Sequence, residues 1–524
     1  MAMPTVSRRQ FLATGGALLV AGASVPAWAD TLQAGPADEI ARLEAADAAL
    51  ARAAALGASY ADIRINRYRR EAIATRERQV QNVSRSTSYG LGLRVLVNGV
   101  WGFAATNLVD PGAARAVAEQ AVAIARANAV LASRKVVLAN ADTVVTTWTS
   151  AFKRDPFEVP LETKIAFLMK LNDTALAVSG VTFVSSQVLF VDEQKFFASS
   201  EGSRITQRLV RTYPQFSTTA ADRARGDFQT RAVVDRAQLV GYEYLEDYPW
   251  LRDAEQAGHE VVEKLKSKPV AAGRYDLVVD PSQLFLAIHE SVGHSTELDR
   301  ALGWEANMAG TSFLEASDAG KLRFGAKIVN LVADRTQPGG LATTGFDDEG
   351  VKADRWHLVR EGMFVDWQTT RELAPLVGQQ RSHGCLHADH WSSVPFPRMP
   401  NVSLEPAPTE VTLDDLFSEI KRGLFIEGRG VSSIDQQRYN FQFGGAVIRE
   451  IRDGKLGAMV KDAAYQSRTP DFWASCDGLG GPATYRLWGT SADGKGEPGQ
   501  TNAVSHGCPP ARFRQVTVLN TASL

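Results

Sequence analysis

Cysteine is scarce: Cys385, Cys476 and Cys508 are the only three in 524 residues. An odd count leaves at least one thiol unpaired, so no disulfide framework carries the fold. Charge of one sign is also missing. The formal net charge is −2 and the pI about 6.5, which gives no reason to expect nucleic acid or an anionic membrane as partner. Beyond the first thirty residues no apolar run is long enough to span a bilayer. Internal repeats and low-complexity segments are absent. What remains is ordinary for a soluble globular chain, with 44% hydrophobic and 22% charged residues. The length allows about two to four domains and a large core.

The first thirty residues differ from the rest. Arg8 and Arg9 precede Phe11 and Leu12, a mildly apolar run follows, and Ala27-Trp28-Ala29 supplies a small-x-small cleavage site. The run, about fourteen residues, is short for a membrane span. The paired arginines resemble a twin-arginine export signal over residues 1–29. The expected location is therefore periplasmic or exported, with no stable membrane span after the signal is removed.

Residues 36–57 carry charges at helical spacing and predict an amphipathic helix. The period then changes to alternation over Ala61–Tyr68 and Gln79–Arg85. Asn98-Gly99 between two apolar runs predicts a tight hairpin, because a type I′ turn needs positive φ at both central residues. Helices are expected at about 111–132 and 160–178, and strands from 181 to 235 with a turn at Glu201-Gly202. A boundary falls near 236–247. These signals define an α+β N-terminal domain with antiparallel hairpins, residues 36–240. A second domain, residues 248–524, opens with a polar helix at about 249–267. It reads as largely β, with strands at 325–334, 357–370, 440–460 (turning at Asp453-Gly454) and 512–521, and a helix at about 412–422 starting at Thr412.

Within that domain the strand RYDLVVD runs into Asp280-Pro281-Ser282-Gln283, a well-formed helix start. Asp280 can cap free N–H groups, Pro281 suits the first helical position, and Gln283 can reach back to close a capping box. The helix carries IHESVGHSTELD, Ile288–Asp299, with His289 and His294 five positions apart and Glu290 beside the first. A regular helix turns about 100° per residue, so residues five apart lie about 140° from one another and could not share an ion. Two distortions would align them. One is a π-bulge; the other is unwinding at Gly293, which tolerates positive φ. With either, neutral imidazoles suit zinc and Glu290 suits a general base acting on acidified water. Without either, these are two polar residues near a helix end.

Ile288–His294, followed by Glu297 and Asp299, closely resembles the HExxxH signature of the TldD/PmbA metallopeptidases, also called the modulator of DNA gyrase family. The likeness extends in order over most of residues 40–522. GLGLRVLVNGVWGFAATN resembles the N-terminal glycine-rich hairpin of that family. FDDEGVKADRWHLVREG, PRMPNVSLEPA, GLFIEGRG, NFQFGGAVIREIRDGKLGAMVKD and TPDFWASCDGLG resemble its C-terminal blocks. The resemblance implies an N-terminal α+β domain and a largely β catalytic domain. It implies one Zn2+ per subunit, another divalent metal being possible, and cleavage of peptides or unfolded protein segments. It implies dimers, either homodimers or heterodimers with a paralogue lacking the site. By the same match His289 and His294 are ligands and Glu290 is the catalytic carboxylate of an active, TldD-like subunit.

One position departs from the family. Its third ligand is a cysteine before a Gly-Lys pair, and here WGTSADGKGEPGQ places Asp493 before Gly494-Lys495. Two histidines and a carboxylate make a sound catalytic zinc set, so Asp493 is the leading replacement. His506, Cys508 and Glu297 are alternatives. A second cluster, SHGCLHADHW, holds His383, Cys385, His387 and His390. It reads as a solvated loop lining the cleft, with a second metal or substrate contact as the other options. Asp347–Gly350 lacks the spacing of a calcium loop and reads as a turn beside the site. The arginines from Arg64 to Arg85 alternate with apolar residues and read as a solvated sheet face or dimer surface. Two functions follow: an exported metallopeptidase, or a catalytically silent partner or binding subunit that keeps the fold.

Overall fold

The computed structural model describes residues 36–523, so the export signal expected at residues 1–29 lies outside the described residues. The N-terminal half is built on a seven-stranded sheet: β1 (Tyr60–Arg76), β2 (Gln79–Val97), β3 (Val100–Thr106), β4 (Val145–Thr149), β5 (Val181–Ser199), β6 (Arg204–Asp222) and β7 (Asp227–Val233). The order is β3-β2-β1-β5-β6-β4, with β7 against β6, and only the β4–β6 pair is parallel. Val97 faces Val100 across Asn98-Gly99, whose φ values are 54° and 80°, the positive values that the tight turn requires. Helices Pro36–Ala55 and Pro111–Asn128 cover one end of the sheet through buried Ala45, Ala49, Ala118 and Ala121. A Cβ on Gly102 would lie 2.0 Å from the Ala121 carbonyl oxygen, so only glycine lets the helix backbone rest on β3. Helices Leu161–Leu176 and Trp250–Lys266 cover the other end through Leu168, Phe190 and Trp250.

The C-terminal half centres on an eight-stranded sheet. Its strand Gly273–Val279 lies between a parallel neighbour, Arg422–Ile434, and an antiparallel one, Ala511–Asn520. Leu277, Val278 and Val279 are fully buried, as expected for a strand covered on both faces. A four-stranded sheet and the ribbon Arg486–Lys495/Gln500–Cys508 pack around it. The fold is α+β with antiparallel hairpins and a β-rich C-terminal region.

Several boundaries depart from the sequence reading. The span 357–370 is a short hairpin rather than one strand, because Glu361 and Gly362, at φ 46° and 73°, fold Arg360 against Met363. The strand expected at 325–334 shrinks to Leu331–Asp334, since Val329 N–H closes a turn onto the Ala326 carbonyl. Helices 111–128 and 413–418 stop early, the latter behind the expected capping box of Thr412 and Asp415. The arginine run is not a uniformly solvated face. Arg64 and Arg67 are buried, and Arg64 reaches across the domain seam to donate to the Ser393 carbonyl at 2.8 Å. That seam carries several buried ion pairs beside apolar contacts such as Leu341 on Val191 and Tyr213. Arg371 makes a two-pronged pair with Glu201, and Lys195 pairs with Asp348. So Asp347–Gly350 belongs to the domain junction, where Asp347, Asp348 and Glu349 are all buried.

Candidate metal centre

The helix Pro281–Ile288 begins as its sequence dictates. Asp280 Oδ1 accepts from the Ser282 N–H at 2.9 Å, and Pro281 occupies the first turn. The expected capping box does not close: the Gln283 side chain instead donates to the Tyr465 hydroxyl at 3.3 Å. That amide is fully buried, and a buried donor is satisfied where a partner stands. The α-helix ends at Ile288 and continues as a π-turn, His289–Gly293, in which the His294 N–H donates to the His289 carbonyl at 3.1 Å. The wider turn brings the five-apart imidazoles side by side, with ring centroids 4.6 Å apart. Of the two distortions considered, the chain therefore uses the bulge. Gly293 is not left-handed. Its role is packing: a Cβ there would lie 2.4 Å from Met399 Sδ, in a fully buried contact.

Asp493 arrives from the C-terminal ribbon, just past a register irregularity between Thr490 and Asp493. Its Oδ1 lies 3.5 Å from His289 Nε2 and 3.4 Å from His294 Nε2. Among the described residues this trio is the one group of three or more His, Cys, Asp or Glu whose ligand atoms converge, all within 4.8 Å. The other oxygen, Oδ2, accepts from Arg398 at 2.8 Å, which turns Oδ1 inward.

Hydrogen bonds behind the trio set its protonation. The Val402 carbonyl can only accept, so His506 Nδ1, 2.8 Å away, must carry the proton. Burial pushes the His506 ring well below the usual histidine range, so it is neutral and its Nε2 accepts from His289 Nδ1 at 2.8 Å. His289 Nε2 is thereby turned toward Asp493. Glu297 Oε2 lies 2.9 Å from His294 Nδ1. Burial raises the Glu297 carboxyl, but Lys495 and Arg300 outweigh it and hold it well below the usual range. Glu297 is thus an acceptor, His294 Nδ1 donates to it, and His294 Nε2 is left bare. Likewise burial raises Asp493, and the imidazoles and Arg398 outweigh that. Two imidazole nitrogens and a carboxylate oxygen therefore converge, and although burial lowers the His289 ring, Asp493 outweighs it and raises that ring above the usual histidine range. Without a metal the positive charge that Asp493 attracts is a proton on His289; a divalent ion would displace that proton and take its place among the three donors. The spacing also fits: a tetrahedron with bonds of about 2.0–2.1 Å has edges of about 3.3–3.4 Å. These residues suit a divalent ion.

Glu290 follows the first ligand, and Arg438 donates to its Oε2. Of the alternative third ligands, Glu297 and His506 stand behind the imidazoles as orienting partners, not among the converging atoms. Cys508 Sγ is buried elsewhere, 3.9 Å from the Pro281 carbonyl. Removing His506 frees the His289 ring to flip its tautomer. His506→Ala is expected to weaken metal affinity by about 10- to 100-fold, measured by competition with a chelating dye.

The second cluster is dispersed. His383 stacks on Trp356 at 4.2 Å and bridges Asp354 and Asp366, each 3.0 Å from a ring nitrogen. Cys385 is fully buried. His390 stacks on Tyr68 and bonds Ser88 at 2.6 Å. The reading as a solvated cleft loop is corrected: these side chains fill separate niches, His390 and His387 at the domain seam. Burial and Lys195 push the His387 ring down to about 3, against Asp348 at 3.6 Å. Between the ordinary histidine value and about 3 the unfolded chain binds the proton and the native one does not, so acid costs stability there. From pH 7 to 4.5 this residue alone should remove roughly 2–3 kcal/mol. His387→Gln is expected to shrink that loss in urea titrations, and equal losses in both proteins would refute the assignment.

Sequence reasoning missed Arg398, Lys495, Arg300 and Arg438. Arg398 and Lys495 sit in recognised blocks, but nothing local marks their partners. Arg438 carries no sequence signal.

Comparison with known proteins places this geometry in context. Residues 61–125, 154–268 and 272–520 match, in order, domain 1, the central domain and the C-terminal domain of the PmbA/TldA metallopeptidases. A protein of Methanothermobacter thermautotrophicus named "Metalloprotease" is 30% identical over 466 residues, covering 88% of this chain and 96% of that one. Two solved structures share the fold. A Thermotoga maritima protein, named as a candidate modulator of DNA gyrase, aligns with a TM-score of 0.73 at 15% identity, covering 91% of this chain and 100% of that one. TldE from Thermococcus kodakarensis aligns with a TM-score of 0.70 at 16% identity, covering 90% and 99%. On the ordered match of all three domains and the full-length relative, the chain belongs to the PmbA/TldA metallopeptidase family.

Proposed function

We propose that the chain is an exported, metal-dependent peptidase of the active TldD-like type, with zinc as its metal, acting on peptides or unfolded protein segments. The observation that carries this reading is the convergence of His289 Nε2, His294 Nε2 and Asp493 Oδ1, 3.4–3.5 Å across each carboxylate–imidazole gap. These residues would hold the ion. When bound, a divalent cation acidifies water and polarises a carbonyl as a Lewis acid. Glu290 supplies the proton chemistry. Its Oε1 carries no hydrogen bond among the described residues, and it takes the proton of the attacking water and returns it to the leaving amine nitrogen. Arg398 keeps Asp493 aimed, while His506 and Glu297 keep both imidazoles in the ligating tautomer. The paired arginines Arg8 and Arg9 support export by the twin-arginine route. Assembly as a homodimer, or with a family paralogue, follows from the family resemblance.

Metal analysis combined with hydrolysis of a mixed peptide library tests the assignment. Glu290→Ala should lose about 10²- to 10⁴-fold in rate while keeping the metal of the wild type. Hydrolysis that survives in Glu290→Ala refutes the mechanism. Metal binding without turnover in the wild type assigns the chain instead to a silent partner subunit.

A further inference from the structure

We propose that Arg438 is the residue that positions the Glu290 carboxylate, clamping one oxygen so that the other faces the site. This rests on the peptidase reading above. Arg438 lies in the turn between the strands Arg422–Ile434 and Asn440–Arg452, far from the metal helix in sequence. Its φ is 63°, a left-handed conformation that disfavours any residue with a Cβ. A glycine or asparagine would be at ease there, so an arginine needs another reason.

The surroundings hold Arg438 in that conformation. The Arg438 N–H donates to the Asp435 carbonyl at 3.0 Å, and Thr469 Oγ1 donates to the Arg438 carbonyl at 2.7 Å. The Asp435 carboxylate accepts from the next two backbone N–H groups, those of Tyr439 and Asn440, at 2.8 and 2.9 Å. The consequence is a side chain directed inward. One terminal nitrogen donates to Glu290 Oε2 and the other donates to the Ala309 carbonyl at 3.2 Å. The loop bearing Ala309 is itself pressed onto this turn. The Thr311 N–H donates to the Gln436 carbonyl at 2.8 Å, and a Cβ on Gly310 would meet that oxygen at 2.4 Å. Both partners are largely withdrawn from solvent, with side-chain exposures of 14% for Arg438 and 20% for Glu290. This is therefore not a surface ion pair whose geometry drifts. The second bond, to Ala309, holds the plane of the guanidinium, so its one bond to Glu290 Oε2 has a fixed direction, which a flexible lysine without that anchor would not give. The effect on rate is through orientation, where a displacement of about 1 Å costs on the order of 100-fold.

Steady-state kinetics on the metal-loaded protein test this, beside metal content and thermal unfolding of the metal-free form. Arg438→Ala should lower kcat about 100-fold, with KM within about two-fold and metal content unchanged. Free guanidinium ion at sub-denaturing concentration should restore part of the rate, and Arg438→Lys should restore less. In metal-free protein the Arg438→Ala/Glu290→Ala pair should be non-additive in unfolding midpoint, because the second substitution removes a partner already lost. Wild-type kcat in Arg438→Ala, or a loss confined to KM or to metal content, overturns the proposal. If Arg438→Ala does not fold, Arg438→Lys carries the test, and an unchanged kcat there is equally fatal. Absence of Glu290-dependent turnover in the wild type would instead defeat the peptidase reading, and the metal-free double-variant coupling then decides the clamp alone.

Discussion

Asp493→Ala is expected to lose its metal on dialysis, show no measurable peptide hydrolysis, and unfold at lower urea, by about 3 kcal/mol. The first two effects follow from donor count. Two imidazole nitrogens remain, and a site of two neutral ligands holds a divalent ion far more weakly than one with a carboxylate. The third follows from Arg398, whose side chain is 1% exposed. It would keep its bond to the residue-493 carbonyl but lose Oδ2, leaving a buried guanidinium with too few partners. Its Nε already lacks one. Asp493→Cys separates the roles. It supplies the thiolate ligand of the family pattern but nothing for Arg398. It should therefore retain metal, lose stability like the alanine variant, and become sensitive to peroxide. Inductively coupled plasma analysis, urea titration and a peroxide challenge give the three readouts. Stoichiometric metal in dialysed Asp493→Ala would remove Asp493 from the ligand set.

Lys495→Met is expected to cost about 3–5 kcal/mol and to weaken metal binding at least 10-fold. Lys495 is 2% exposed overall, and its ammonium lies 3.0 Å from Glu297, 2.8 Å from Asp299 and 2.9 Å from the Pro397 carbonyl. Without it two buried carboxylates share one guanidinium, that of Arg300. Burial already raises Asp299 with the lysine present. Glu297 would then take up a proton and turn from acceptor to donor at His294 Nδ1. His294 would shift its own proton to Nε2, the atom that faces Asp493. Lys495→Arg tests whether charge alone suffices. Lys495→Met combined with Glu297→Gln should recover stability without recovering metal affinity, because a neutral amide removes the repulsion but does not fix the tautomer. Metal affinity in Lys495→Met equal to that of the wild type would detach this network from the site.

Much of this protein is legible without coordinates. Asn98-Gly99 and Asp453-Gly454 are tight turns because each pair takes positive φ, 54° and 80°, 46° and 76°. Asp280-Pro281 starts the metal helix because a capping carboxylate and a residue without an N–H suit that point. These are short-range matters, decided by steric limits and by hydrogen bonds between near neighbours. The Gln283 reading failed for the opposite reason: a partner 182 residues away, Tyr465, competed for its amide.

From the sequence alone it follows that His289 and His294 can share an ion only on a distorted turn, since helical rotation separates residues five apart by about 140°. Which distortion occurs only the tertiary structure shows: the backbone passes through a π-turn, and Met399 packs onto Gly293 where a Cβ would stand. That Asp493 faces the imidazoles, with His506 on the strand paired to its own, depended on strand register and on the irregularity after Thr490, while Arg398 and Arg438 reach the site from loops far away in sequence. A slip of one residue reverses the face to which every side chain of a strand points, and no pattern within the strand records which long-range pairing prevails.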